Sequence, residues 1–153
     1  DYMYKELKNI KVPTTIMTNS AENNGNIFGA VDYLNHKKDI INTGVTIKEY
    51  EGGISYHGKS MTIDDDIAIV GSFNMDMRSA YIDTELMLVI NSKDINKQLK
   101  ASMEEYEKKA ATVKNETEYS HIPEGMKMKE LSDKKKNIKA WFGWAMNGLR
   151  FLF

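Results

Sequence analysis

The stretch from residue 55 to residue 90 sets the strongest limit on the fold. Residues 55–63 alternate in character, 67–72 form a continuous apolar run and 85–90 form another, the pattern of three strands in quick succession. Only Asp64-Asp65-Asp66 separates the first two, and so short a polar connection predicts an antiparallel hairpin. A hairpin is marginal unless something covers it, and the neighbouring sequence supplies helices to do so. Ile27, Ala30, Val31 and Leu34 recur at helical spacing in a helix expected to end near Asn42-Thr43-Gly44. Ile95, Leu99, Met103 and Tyr106 form an apolar stripe behind Ser92 as N-cap. Two more short strands, 14–17 and 45–50, lie between helical segments. Residues 1–11 read as a helix closed by Val12-Pro13, because proline disfavours helix in the residue before it. The expected class is α/β, with a mixed β-sheet flanked by helices.

Length and composition suit one such unit. The chain has 153 residues, 41% hydrophobic and 28% charged, the make-up of an ordinary globular domain. Cysteine is absent, which removes disulfide frameworks, thiolate metal sites and cysteine nucleophiles together. Charge is divided unevenly: residues 1–91 carry 8 basic against 13 acidic side chains, and residues 92–153 carry 13 against 9. Residues 112–126 are polar and include Pro123 and Gly125, the composition of a linker. A last helix is expected over 131–149. The division is therefore a lobe at 1–111, then a linker and a basic, aromatic helix at 112–153. The chain opens on Asp1 inside a helical pattern, so a piece of a longer protein is expected.

The chemistry gathers on the hairpin. His57 and Lys59 are two apart on an expected strand, so their side chains leave one face. Ser72 and Asn74 are also two apart, and the hairpin is expected to lay them beside the first pair. One imidazole, one ammonium, one hydroxyl and one amide suit a phosphoryl group. Lys59, Ser72 and Asn74 would hold its non-bridging oxygens, and Gly71 would leave room for close backbone approach. His57 would act as nucleophile on phosphorus or as proton donor to the leaving oxygen.

Taken in order, His57-x-Lys59-x4-Asp64-x6-Gly71-Ser72-x-Asn74 resembles the signature of the phospholipase D superfamily without departure. Asp76-Met77-Arg78-Ser79, Asp83-Thr84-Glu85-Leu86 and Thr18-Asn19-Ser20 resemble the flanking segments of bacterial cardiolipin synthases. The resemblance covers about residues 10–110. It implies phosphatidyl transfer, or hydrolysis of the same phosphodiester, through a phosphohistidine, with one motif histidine as nucleophile and a second as general acid. The downstream match is that of a second motif, in which His57 is the better candidate for acid and base. The resemblance implies that Glu85 bonds the histidine's other nitrogen, and it counts Asp64 in the catalytic motif, although that residue reads as mainly structural at the hairpin. It implies no cofactor and no metal. The implied partners are a phospholipid substrate and a second motif-bearing lobe, from the same chain or from a homodimer partner.

Two rivals stand beside this reading. Single-motif nucleases of the same superfamily complete their site as homodimers, but the net charge of −1 and the acidic first part of the chain argue against nucleic acid as partner. A non-catalytic membrane-binding module is the other. Residues 125–153 carry 7 basic against 2 acidic side chains, and Lys134-Lys135-Lys136 and Lys139 precede Trp141, Phe142 and Trp144. That arrangement suits either contact with a membrane surface through 131–153 or docking of the aromatics on protein. Membrane association is expected of the full-length bacterial protein.

Overall fold

The computed structural model describes residues 2–148 and 150. The chain runs α1 (Tyr2–Asn9), β1 (Thr15–Asn19), α2 (Ile27–Ile41), β2 (Thr46–Tyr50), β3 (Ser60–Ile63), β4 (Ile67–Gly71), α3 (Met77–Tyr81), β5 (Met87–Asn91), α4 (Lys93–Glu107), β6 (Ala110–Val113), β7 (Tyr119–His121) and α5 (Asp133–Gly148). Strands and flanking helices give the expected mixed α/β class, but the strands divide into two sheets. The first has the order β1-β2-β6-β7 and the second β3-β4-β5. Among the described residues only the β1–β2 pair is parallel, as its helical crossover α2 allows. The other pairs are antiparallel.

Local chemistry sets the element boundaries. Asn26 caps α2 by accepting from the Phe28 and Gly29 N–H groups, and Ser92 caps α4 through the Ile95 N–H. Asp76 caps the short helix α3, which periodicity does not reveal, by accepting from the Ser79 N–H at 2.7 Å. The segment expected to be a linker from residue 112 instead completes β6 and forms β7. Its polar residues make the turn, because the Asn115 side chain accepts from the N–H groups of both Thr117 and Glu118.

The core lies between the inner strands and helix α2. Val31, Ile47, Ala30, Ala68, Ala110 and Ala111 are buried, and each branched side chain among them contributes about 1.5–3 kcal/mol. Glu49 of β2 is buried as well, and its carboxylate receives Lys37 at 2.8 Å and the hydroxyls of Tyr33 and Tyr119 at 2.5 Å each. Three donors on one buried carboxylate leave no lone charge. Burial and that neighbouring carboxylate hold both tyrosine hydroxyls well above the usual phenol range.

Helix α4 joins the two sheets. The amide of Asn96, which is 1% exposed, donates to the Ile67 carbonyl at 2.6 Å. One turn on, Lys100 donates to the Asp64 carbonyl at 2.5 Å and to the Asp65 carboxylate at 2.7 Å. The Asp66 carbonyl accepts from the Ser92 N–H at 2.7 Å. The expected hairpin is therefore present and held at its turn by α4, with Asp64 itself left-handed at φ 48°. The opposite face of this sheet, with Met61, Ile63 and Val89, is exposed.

Helix α5 packs on α2, where the Asn35 amide meets the Gly143 carbonyl at 2.9 Å. Arg150 meets Asp32 at 2.9 Å. Trp141 and Trp144 point away from the lobe, 82% and 88% exposed. Leu149, Phe151, Leu152 and Phe153 of the expected aromatic tail lie outside the described residues. Among the described residues, no helix is long and apolar enough to cross a membrane.

Candidate active site

Regular pairing begins at Ser60, so His57 and Lys59 precede β3 on extended chain rather than lying inside a strand. The ladder reaches one residue further back, because the Gly71 N–H donates to the Lys59 carbonyl at 3.0 Å. Two-residue spacing on extended backbone puts both side chains on one side. The Lys59 Nζ stands 2.9 Å from His57 Nε2 and 2.9 Å from the His57 carbonyl oxygen. An ammonium can only donate, so Nε2 presents its lone pair to Lys59. His57 is exposed.

Strand β4 ends at Gly71, and residues 72–76 bend away from it. Two-residue spacing therefore does not give Ser72 and Asn74 a common face. The Ser72 N–H donates to the Leu86 carbonyl at 3.0 Å, and the Ser72 hydroxyl accepts from the Leu86 N–H at 3.1 Å. These bonds turn the hydroxyl toward Glu85, whose carboxylate it meets. The carboxylate expected on the histidine is thus on the serine in this lobe. The Ser72 hydrogen bond holds Glu85 below the usual carboxylate range, and the Lys59 charge adds to the effect.

Asn74 lines an open cleft of about 310 Å³ together with Asn26, Phe28, Asp76, Arg78 and Asp83. Gly71 is where the backbones crowd. A Cβ there would lie 2.1 Å from the Leu86 carbonyl oxygen and 2.9 Å from the Met87 Cα, so the glycine serves contact between β4 and β5. Asp64 occupies the far end of β3, roughly 15 Å from Lys59 at the usual strand rise. Its placement agrees with a structural part at the turn. Among the described residues no group of three His, Asp or Glu side chains could hold a metal ion.

Sequence reasoning missed the support under His57. The Asn19 side chain accepts from the Tyr56 N–H at 2.8 Å and donates to the Tyr56 carbonyl at 2.8 Å. Asn23 donates to the Ile54 carbonyl at 3.2 Å and accepts from the Gly53 N–H at 2.9 Å. These bonds explain why 55–59, for all its alternation, does not extend β3. The one available signal was the density of asparagine in the loop after β1.

A histidine and a lysine two residues apart, leading into the hairpin of this mixed α/β lobe, carry the signature of a phospholipase D-like domain. The chain matches the family described as cardiolipin synthase, PLD-like domain, over residues 3–106, and it belongs to that family. Cardiolipin synthase A of Wigglesworthia glossinidia brevipalpis is 35% identical over 68 residues, which is 44% of this chain and 14% of that protein. Cardiolipin synthase A of Yersinia pseudotuberculosis serotype O:1b (strain IP 31758) is 33% identical over 78 residues, 51% of this chain and 16% of that protein. The chain therefore spans only a small part of the length of the curated relatives it matches. Among solved structures it is similar to a phospholipase D family member, Nuc from Salmonella typhimurium. That match has 13% identity and a TM-score of 0.48 over 73% of this chain and 88% of that one.

Proposed function

We propose that this lobe supplies one half of an active site for phosphatidyl transfer or phosphodiester hydrolysis on phospholipids, through a phosphohistidine. The contact between Lys59 Nζ and His57 Nε2 carries this reading. A phosphate dianion or diester anion is a stronger acceptor for an ammonium than an imidazole is. An arriving phosphodiester therefore draws Lys59 onto a non-bridging oxygen and frees Nε2 to take up a proton from solvent. A histidine from a second motif-bearing lobe, of the same chain or of a homodimer partner, attacks phosphorus, and the phosphorus–oxygen bond to the leaving alcohol breaks. His57 protonates that leaving oxygen. It then takes a proton from the incoming alcohol or water, whose oxygen displaces the second histidine from phosphorus. Lys59, Ser72 and Asn74 bind the phosphate oxygens, the Ser72 O–H turning to phosphate from Glu85, which holds it until substrate arrives. By itself the lobe has one such histidine and turns over no lipid.

The test uses the full-length protein on phosphatidylglycerol vesicles. His57→Ala and Lys59→Ala each lower turnover by about 10²-fold or more, while the isolated lobe shows none. Normal turnover by His57→Ala overturns the assignment. Cleavage of DNA without lipid turnover moves the chain to the nuclease reading.

Membrane-surface contact through α5 is a second element of this reading, favoured by the outward exposure of Trp141 and Trp144. Lys135 and Gly143 are buried against the lobe. At 100° per residue the two tryptophans lie on the opposite side of the helix, with Lys134 beside them. Tryptophan flanked by lysine suits the headgroup zone of an anionic bilayer.

A further inference from the structure

His57 is exposed, and the residues before it make no strand pairing, yet proton transfer tolerates little displacement of the imidazole. Something other than the sheet must hold this segment. The side-chain amide of Asn19 does so by the same pair of bonds a neighbouring strand would make. It accepts the N–H and donates to the C=O of Tyr56, the residue next to His57, at 2.8 Å each. Asn19 closes β1, opposite Tyr50 in the ladder, so its backbone is anchored in the first sheet.

The bracket is itself braced. Asn23, 7% exposed, donates to the Asn19 side-chain oxygen at 3.1 Å while holding Gly53 and Ile54. The loop that carries Asn23 wraps around the ammonium of Lys135 from α5. Lys135 donates to the carbonyls of Ala21 at 2.8 Å, Glu22 at 2.6 Å and Asn24 at 3.0 Å. A buried ammonium with three carbonyl acceptors fixes a loop much as a bound cation would. On its other side Tyr56 packs on Tyr106 of α4, with ring centroids 4.5 Å apart.

We propose that Asn19 is a positioning residue for His57, and that Asn23 and Lys135 stiffen it, which ties the docking of the C-terminal helix to the geometry of the reacting imidazole. The proposal rests on the reading of His57 given above. It is tested in the full-length protein by steady-state turnover on phosphatidylglycerol vesicles, with thermal unfolding recorded on the same samples. Asn19→Ala lowers kcat by about 10²-fold, with the apparent KM within about twofold and the protein folded at the assay temperature. Lys135→Met shifts kcat in the same direction by a smaller factor. Asn19→Asp keeps the acceptor for the Tyr56 N–H and loses the donor, and its kcat falls between wild type and Asn19→Ala. It also serves as the measurement if Asn19→Ala does not fold. Wild-type kcat in folded Asn19→Ala or Asn19→Asp, while His57→Ala is inactive, overturns the proposal. A loss that only tracks the unfolded fraction, or that appears in KM alone, also overturns it. Activity in His57→Ala strikes the functional reading instead.

Discussion

A single hydroxyl organises one side of the site. Ser72 accepts from the Leu86 N–H and donates to Glu85, so its proton is committed to a carboxylate while no phosphate is bound. Because that bond favours the charged carboxylate, Glu85 titrates below its ordinary value. The sign follows: the contact is complete at neutral pH and is lost as pH falls through the lowered folded-state value. Ser72→Ala removes the largest cause, so the Glu85 midpoint moves up toward the ordinary glutamate value of about 4.3. The carboxyl-carbon chemical shift of Glu85, followed against pH, reads the change, and an unmoved midpoint contradicts the assigned cause. The pairing itself was not legible in the sequence. His57 and Lys59 are two residues apart and meet by local geometry, whereas Glu85 reaches Ser72 only because a bend after β4 redirects the serine.

At the scale of elements, the β3–β4–β5 meander is the part that sequence patterning describes best. Its alternation, apolar runs and acidic turn are local signals, and the antiparallel order follows from them. Gly71 leaves no room for a side chain against β5. Gly71→Ala would place a methyl carbon 2.1 Å from the Leu86 carbonyl oxygen, and backbone atoms cannot give way as a side-chain tip can. The expected cost is about 1–3 kcal/mol in urea unfolding, and a variant as stable as wild type would contradict the close approach. The β6–β7 hairpin was illegible for the opposite reason. Its strands are four and three residues long, and its turn residues Asn115 to Glu118 have the composition of a solvated linker. The separation into two sheets also has no local signature, since it depends on the backbone of 53–56 turning to asparagine side chains rather than to a strand.

For the whole molecule, the helices divide their work. Helix α4 holds the hairpin turn against both sheets, and α5 offers buried Lys135 inward and two tryptophans outward. Those are the only tryptophans in the chain, so intrinsic emission reports the outer side of α5 without labelling. Vesicles of phosphatidylglycerol and phosphatidylcholine are expected to shift that emission to the blue, and added salt to reverse the shift. Emission unchanged by anionic vesicles removes the membrane-surface reading and leaves a protein partner for this side. The hairpin also explains why the signature has the gaps it has. The four unnamed residues between Lys59 and Asp64 are β3 itself, Ser60–Ile63. The six between Asp64 and Gly71 are two turn residues and four of β4. One residue inserted or deleted in either gap would slip the ladder and send alternate side chains to the other face, carrying Lys59 away from Gly71. The spacing is a ruler cut to one strand's length, so this is a hairpin that substitution can vary but insertion cannot.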